Sequence, residues 1–291
     1  VHLLALGKAA HPMAVAAVEW LHVRGREPIG GVLVVPEPAS SSHPALAVAV
    51  GDHPRPEAGS LRAAEALGQA VQQVAADHDV WVLLSGGTTS LIGAPVAGVS
   101  SADLTRRYTL LLGSGLDITA MNRIRKRFAR WAGGRLAAAL APAHVKNFTI
   151  SDVIGDDLSS IGSGPCVPDS SSAADVRALL VTAGLWLKIP PPLREHLAAV
   201  ERGTGAETPK PGDPAFRTTE TVLVASNRLA LEAICTRARA LGINTHLLDA
   251  ARYDVRGQRF ADHAGGRDEH FVSCAASFLH RRRNSRAVLC D

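Results

Sequence analysis

The chain has 291 residues, of which 46% are hydrophobic and 20% charged, and its formal net charge is +4. This length and composition suit one large α/β domain or two ordinary globular domains. The small basic excess comes without a recognised binding motif, which argues against nucleic-acid binding. No apolar run reaches the roughly 18 residues that a membrane span needs. Four cysteines without a CxxC pair are expected to be free thiols, and with no signal peptide they indicate a cytoplasmic protein.

Strands and helices are predicted to alternate along the chain. The predicted strands are 1–7, 30–36, 46–51, 80–85, 147–153, 221–226 and 244–250. The predicted helices are about 12–24, 57–76, 102–113, 117–141, 173–184, 191–202 and 227–241. Continuous apolar strands such as VWVLLS are typical of a parallel sheet that is buried on both faces. The alternation predicts an α/β fold with a doubly wound, mainly parallel sheet and helices on both faces.

A segment rich in glycine and proline, GTGAETPKPGDPAF at 203–216, is the best candidate for a linker between domains. It predicts a first domain over 1–215 and a partial C-terminal region over 216–291. From about residue 260 onward the chain lacks strand–helix alternation and is rich in histidine, cysteine and arginine. We therefore expect an atypical tail over about 260–291, as part of an incomplete second domain.

Four loops of unusual composition each follow a predicted strand. They are 7–11, 51–56, 85–90 and 151–165. In doubly wound sheets, ligands bind beyond the carboxyl ends of the strands. The sequence therefore predicts one ligand site at this edge of the sheet.

Two of these loops offer groups that could bind an anion. SGGTTS at 85–90 presents consecutive backbone N–H groups without bulky side chains, and a helix is predicted to follow it. No Walker GK[ST] sequence follows, so a plain strand-to-helix turn is the alternative. Lys8 follows the first strand directly, where a lysine could neutralise a moving phosphoryl group or simply lie on the surface.

The segment MNRIRKRFAR at 121–130 is predicted to be helical, with Asn122 and Arg125 on one face. Most of its arginines are expected to form a solvated face, while one or two could bind a carboxylate or phosphate. The predicted buried stripe consists of Met121, Ile124, Phe128 and Trp131.

The last loop is acidic, and the second contains a histidine between turn-forming residues. Asp152, Asp156 and Asp157 follow a strand, where carboxylates suit Mg²⁺ but are equally common in ordinary turns. His53, in GDHPRP, is expected to be a structural loop residue rather than a catalytic one.

Taken in order, five motifs resemble those of the glycerate 2-kinase family, also called class II glycerate kinase or the MOFRL family. They are GKAA, GDHPRPEAGS, LLSGGTTSLI, NRIRKRFARWAGGRLA and SDVIGDDLSSIGSGPCVPD. Members of this family are sometimes named hydroxypyruvate reductase. The resemblance runs from about residue 1 to about 250. It implies ATP-dependent phosphorylation of D-glycerate to 2-phosphoglycerate with Mg²⁺, on a Rossmann-like domain followed by a smaller one.

The resemblance also implies roles for particular residues. Catalytic roles are implied for Lys8, Asp152 and Asp156, and Asp156 is also the expected metal ligand. Substrate or phosphate binding is implied for Ser85, Gly86, Gly87, Thr88, Asn122, Arg125, Ser163 and Gly164. The expected partners are D-glycerate and a nucleotide, and a homodimer is plausible.

The sequence departs from the family in two places. Only six residues precede Gly7, and the family's C-terminal GGET-, GGRNQE- and TDG-type motifs are absent. One hypothesis is therefore a shortened or frameshifted gene product of doubtful activity. The alternatives are an NAD(P)-dependent hydroxypyruvate reductase, against which the missing GxGxxG fingerprint argues, and a non-catalytic product.

Overall fold

The computed structural model describes residues 1–245, which contain one six-stranded sheet. The strands are β1 His2–Leu6, β2 Gly30–Val35, β3 Ala47–Val50, β4 Asp79–Leu84, β5 His144–Ile150 and β6 Thr219–Ala225. Their order is β3-β2-β1-β4-β5-β6, and every neighbouring pair is parallel. This is the strand order of the doubly wound Rossmann fold, so the predicted fold class is confirmed. The strand predicted at 244–250 lies almost entirely outside the described residues.

Helices connect the strands. They are α1 Ala10–His22, α2 Ala58–Gln72, α3 Thr88–Leu91, α4 Ser101–Leu112, α5 Ile118–Arg127, α6 Arg135–Leu140, α7 Ala173–Thr182, α8 Pro191–Glu201 and α9 Asn227–Ala240. Single 3₁₀ turns span Ile161–Ser163 and Pro214–Phe216. Among the described residues, no helix has the length and apolar character needed to cross a membrane.

The long helix predicted over 117–141 is wrong, because the chain breaks between α5 and α6. Gly133 and Gly134 have φ angles of +60° and +83°, in the left-handed region that favours glycine. Their N–H groups donate to the carbonyl oxygens of Ser163 and Gly164, at 2.9 and 2.8 Å. The break therefore holds the end of the 151–165 loop in place.

The sheet has an apolar core on each face, as alternating strand side chains require. Leu4 and Leu6 of β1 lie in a cluster with residues of α2 and α6, such as Leu67 and Leu136. Leu3 of β1 lies in the other cluster, with residues of α1 that include Ala10, Ala14 and Leu21. Helices thus cover both faces, as predicted.

A third apolar cluster joins α4, α5, α7 and α8, and α5 is more deeply buried in it than the sequence predicted. Ile124 and Phe128 are fully buried in it, while Met121 packs at its margin. The predicted solvated arginine face holds for Arg123 and Arg130, which are exposed, but residues 125–127 are all buried. Contacts from other elements, rather than the helix period, bury these charged side chains.

The predicted linker is anchored to the first domain. Thr208 is buried, and its hydroxyl donates to the Asp169 carboxylate at 3.0 Å. Glu207 forms an ion pair with the buried Arg127. Residues Val1–Ala225 form one compact unit, so β6 belongs to that unit although it follows the predicted boundary at 215. The tail predicted at about 260–291 lies outside the described residues.

Candidate functional site

The loops after β1 and β4 meet where the strand order of the sheet reverses, which is the usual ligand position in such folds. The Lys8 N–H donates to the Gly86 carbonyl at 2.9 Å, and the Ala9 N–H donates to Ser85 Oγ at 3.0 Å. Gly7 has φ +118°, and an added Cβ there would lie 2.3 Å from Ser85 Oγ. The two loops are therefore hydrogen-bonded to each other, and their close approach requires a glycine at position 7.

The turn after β4 offers backbone donors rather than hydroxyl groups. Thr88 is fully buried, and its hydroxyl donates to the Ser85 carbonyl at 2.8 Å. Ser85 Oγ also donates to the Leu6 carbonyl, at 3.3 Å. Within residues 1–245, the backbone N–H groups of Gly86 and Gly87 donate no hydrogen bond. The helix that follows has only four residues, so its dipole adds less than the sequence prediction assumed.

Lys8, His53 and Asp152 converge on the two glycines of this turn. An added Cβ at Gly86 would lie 1.8 Å from Asp152 Oδ2. At Gly87, which has φ +88°, it would lie 3.1 Å from Lys8 Cγ and 3.3 Å from His53 Cδ2. The structure thus brings a lysine, a histidine and a carboxylate from three different strand ends around one glycine turn.

His53 lies in this site although the sequence indicated a structural role for it. Burial lowers the pKa of His53 below its ordinary value, the Lys8 ammonium lowers it further, and the Asp152 carboxylate acts in the opposite direction. The imidazole is therefore neutral near pH 7. His53 follows β3 in one of the four loops after strands, as Lys8 follows β1, and this position is the sequence signal that could have identified it as a site residue.

Some polar residues of the 151–165 loop form hydrogen bonds that hold the loop in place. Ser163 is fully buried, has φ +64°, and its Oγ lies 2.9 Å from Thr89 Oγ1. Asp157 accepts a hydrogen bond from Ser160 Oγ at 2.6 Å. The Ser163 hydroxyl therefore joins this loop to the 85–90 turn; the resemblance implied substrate or phosphate binding for this residue. The Gly164 carbonyl accepts the Gly134 N–H at 2.8 Å, which joins the same loop to the break between α5 and α6.

Asp152 and Asp156 are the carboxylates for which the resemblance implied a role in catalysis or cation binding. Asp152 is exposed, and Asp156 is half-buried with φ +55°. No group of three or more histidine, cysteine, aspartate or glutamate side chains in residues 1–245 is arranged to hold a metal ion. Mg²⁺ commonly uses one or two carboxylates and takes its other ligands from phosphate and water. This donor set therefore fits a magnesium ion that arrives with a nucleotide.

Asn122 and Arg125 form a second part of the site, packed against α4. Arg125 Nη1 lies 3.5 Å from Asn122 Oδ1, at the limit of a hydrogen bond. The Tyr108 ring lies 4.9 Å from the Arg125 guanidinium, and its hydroxyl donates to the Pro54 carbonyl at 2.9 Å. Tyr108 thus connects Arg125 to the loop that contains His53. No sequence motif marked Tyr108.

The comparison with protein families gives one match, which covers residues 1–198 and is described as "Domain of unknown function (DUF4147)". The chain belongs to this family. The DUF4147 region contains every predicted site residue from Lys8 to Gly164, together with His53 and Tyr108.

Curated relatives of this DUF4147 chain include named enzymes. It is 33% identical to glycerate 2-kinase of Pyrococcus horikoshii over 248 residues, which is 85% of this chain and 54% of the relative. It is 35% identical to a putative hydroxypyruvate reductase of Agrobacterium vitis over 252 residues, 86% of this chain and 54% of the relative. The chain spans about half the length of these curated relatives.

A solved structure matches the same fold. The glycerate kinase of Thermotoga maritima superposes with a TM-score of 0.72 at 30% identity, over 84% of this chain and 55% of that one. The resemblance to glycerate kinases, inferred from five motifs, is therefore confirmed in both sequence and fold, and the name hydroxypyruvate reductase occurs among the relatives as expected.

Proposed function

We propose that this DUF4147 protein acts in phosphoryl transfer from ATP to the 2-hydroxyl group of D-glycerate. The observation that carries the proposal is the convergence of Lys8 and Asp152 on the Gly86–Gly87 turn at the strand-order reversal. The names of its relatives, glycerate kinase and glycerate 2-kinase, supply the reaction and the substrate. The chain spans about half the length of those relatives.

Lys8 and the glycine turn provide the charge stabilisation that phosphoryl transfer needs. Little covalent chemistry falls to the protein in such reactions, so positioning and electrostatics supply most of the rate. The Lys8 ammonium is exposed beside Gly87, where it stabilises negative charge on the transferring group. The N–H groups of Gly86 and Gly87 bind phosphate oxygens, which glycine allows to approach closely.

Asp152 and Asp156 supply the negative charge of the site. A bound Mg²⁺ would neutralise phosphate charge, and Asp156 is the residue we assign to hold it. Asp152 lies against Gly86, beside the turn that we assign to phosphate. It is therefore placed to accept a hydrogen bond from the attacking hydroxyl group of the substrate and to orient it.

Arg125 binds the carboxylate of glycerate, with Asn122 beside it. A planar guanidinium suits a carboxylate because two parallel N–H groups meet its two oxygens. Arg125 is buried, with 9% of its surface exposed, yet within residues 1–245 it forms no ion pair with aspartate or glutamate.

The cytoplasmic location and the homodimer expected from the sequence remain predictions.

The test is ADP release by the full chain with D-glycerate, ATP and Mg²⁺. We expect ADP release with D-glycerate and none with L-glycerate. Lys8→Ala should abolish it, because the ammonium group whose side chain lies beside Gly87 is lost. Lys188→Ala, in an exposed position between α7 and α8, is the matched control and should retain wild-type activity.

Other outcomes of this assay would replace the proposal. NADH oxidation with hydroxypyruvate, in the absence of ADP release, would instead support the reductase named among the relatives. A thermal shift with ligand but neither reaction would support a protein that binds ligand without catalysis. An active Lys8→Ala variant would remove this lysine from the mechanism.

A further inference from the structure

Arg107 and Arg125 are two adjacent buried guanidinium groups without an acidic partner. They are 3% and 9% exposed, and in residues 1–245 neither forms an ion pair with aspartate or glutamate. The Nε atoms of both lack a hydrogen-bond partner in the same residues. An unpaired buried cation is costly to the folded state. The presence of two such arginines is therefore better explained by the binding of a negatively charged ligand than by a contribution to the stability of the fold.

Two consecutive residues of α4 hold Arg125 at two points. Arg107 Nη1 donates to the backbone carbonyl of Arg125 at 3.0 Å, which fixes the main chain near the end of α5. The Tyr108 ring lies 4.9 Å from the Arg125 guanidinium, within the range of a cation–π contact. Backbone and side chain of Arg125 are thus both fixed from α4.

The same tyrosine reaches the other half of the site. Its hydroxyl donates to the Pro54 carbonyl at 2.9 Å, and the neighbouring His53 lies beside Gly87 and the Lys8 side chain. A chain of contacts through the Tyr108 side chain therefore connects Arg125 with the residues beside the glycine turn.

We propose that Arg107 and Tyr108 form an arginine clamp, a pair of positioning residues that holds Arg125 ready to bind a carboxylate and ties it to the Lys8 side of the site. This inference rests on the proposed function, since it assigns the acidic end of the substrate to Arg125. Arg107 itself is too buried to touch the ligand. It acts through the Arg125 backbone and through its unpaired charge, which favours an anion at Arg125.

Calorimetric titration of the full chain with D-glycerate, and separately with inorganic phosphate, tests the clamp. Tyr108→Leu should weaken D-glycerate binding about tenfold, the effect of one desolvated cation–π contact. Tyr108→Phe retains the ring, so its affinity for D-glycerate should stay within about twofold of the wild type. The Pro54 contact is lost in this variant, however, so in the kinase assay kcat should fall by a larger factor than KM for D-glycerate rises.

Variants of Arg107 separate its charge from its packing. Arg107→Met should weaken D-glycerate binding about tenfold, and Arg107→Lys, which retains the charge, should recover most of that loss. Arg106→Met is the matched control, since the neighbouring Arg106 is exposed and should bind as the wild type does. Circular dichroism at the titration temperature verifies that each variant is folded.

The outcomes distinguish the clamp from the proposed function. If Tyr108→Leu and Arg107→Met are folded and bind D-glycerate with wild-type affinity, the clamp is overturned while the kinase proposal stands. If the wild type binds D-glycerate, the variants bind it weakly and no ADP is released, the clamp stands and the kinase proposal fails. A wild-type chain that binds neither D-glycerate nor phosphate overturns both.

Discussion

Gly86 and Gly87 of the site are glycines for two different physical reasons. Gly86 has an ordinary backbone conformation, because its φ angle is not positive, and its hydrogen is what leaves room for the Asp152 carboxylate. Gly87 differs, since its φ of +88° would strain any other residue. A substitution at Gly86 therefore tests the position of Asp152 with little effect on the backbone.

Gly86→Ala should lower phosphoryl transfer by about tenfold or more while the free energy of unfolding changes by less than about 1 kcal/mol. The new methyl group would overlap Asp152 Oδ2, whose exposed side chain can rotate away at small energetic cost. Gly113→Ala, where the nearest atom to an added Cβ is 3.9 Å away, is the control. Equal activity of the two variants would contradict the role of Asp152.

At the scale of elements, a buried ionic network decides where loops lie. Lys126 and Arg127 of α5 lie 3.6 and 3.9 Å from the two Asp169 oxygens, and Asp169 accepts the Thr208 hydroxyl. Lys210 Nζ donates to the Ser171 carbonyl. A segment that composition marked as a linker is thereby fixed to α5, the helix that carries Arg125.

Asp169→Asn should lower the free energy of unfolding by about 3 kcal/mol, because it leaves the buried Lys126 without its carboxylate and removes one of the two carboxylates that face the buried Arg127. Glu201→Gln is the control: its exposed ion pair with Arg177 contributes less than about 1 kcal/mol. Urea denaturation at pH 7 measures both. An Asp169→Asn variant as stable as the control would show that the network does not stabilise the fold.

The same carboxylate predicts a pH dependence. Burial raises the pKa of Asp169, but Lys126, hydrogen bonds from Ser171, and Arg127 outweigh it, so the pKa lies below its ordinary value. Its contribution is complete above the unfolded pKa of about 3.9 and is lost as the pH falls through the lower, folded pKa. The free energy of unfolding of Asp169→Asn should therefore fall less steeply below pH 4 than that of the wild type.

At the scale of the whole molecule, the sheet fixes the first compact unit. β6 pairs with β5 along its length, from Val145↔Thr219 to Ile150↔Ala225, and Val1–Ala225 forms one unit by its contacts. A boundary at 215 would remove this strand and expose the unpaired backbone of β5. Unpaired strand edges promote association between chains.

A fragment of residues 1–225 should therefore unfold in one cooperative transition, whereas a fragment of residues 1–215 should unfold at a lower temperature and aggregate. Thermal unfolding and size-exclusion chromatography measure the two properties. Equal stability of both fragments would instead support the boundary that the sequence predicted.

Several features of the fold follow from the sequence because they depend on local chemistry. Apolar runs such as VWVLLS and the alternation with helices indicate a parallel doubly wound sheet, and its ligand edge follows from that topology. The break after α5 was not predictable in the same way. The left-handed Gly133–Gly134 pair becomes necessary only because the 151–165 loop docks on it.

The fold class, and the sheet edge at which the candidate site residues cluster, follow from the sequence alone, because they depend on periodicity and on loops that follow strands. The tertiary structure adds which side chains are packed away and which of them meet. Packing directs the hydroxyls of Thr88 and Ser163 inward, and it brings His53 to Lys8 and Tyr108 to Arg125. Contacts between residues far apart in the chain leave no periodic signal in the sequence, which is why the fold could be predicted and the arginine clamp could not.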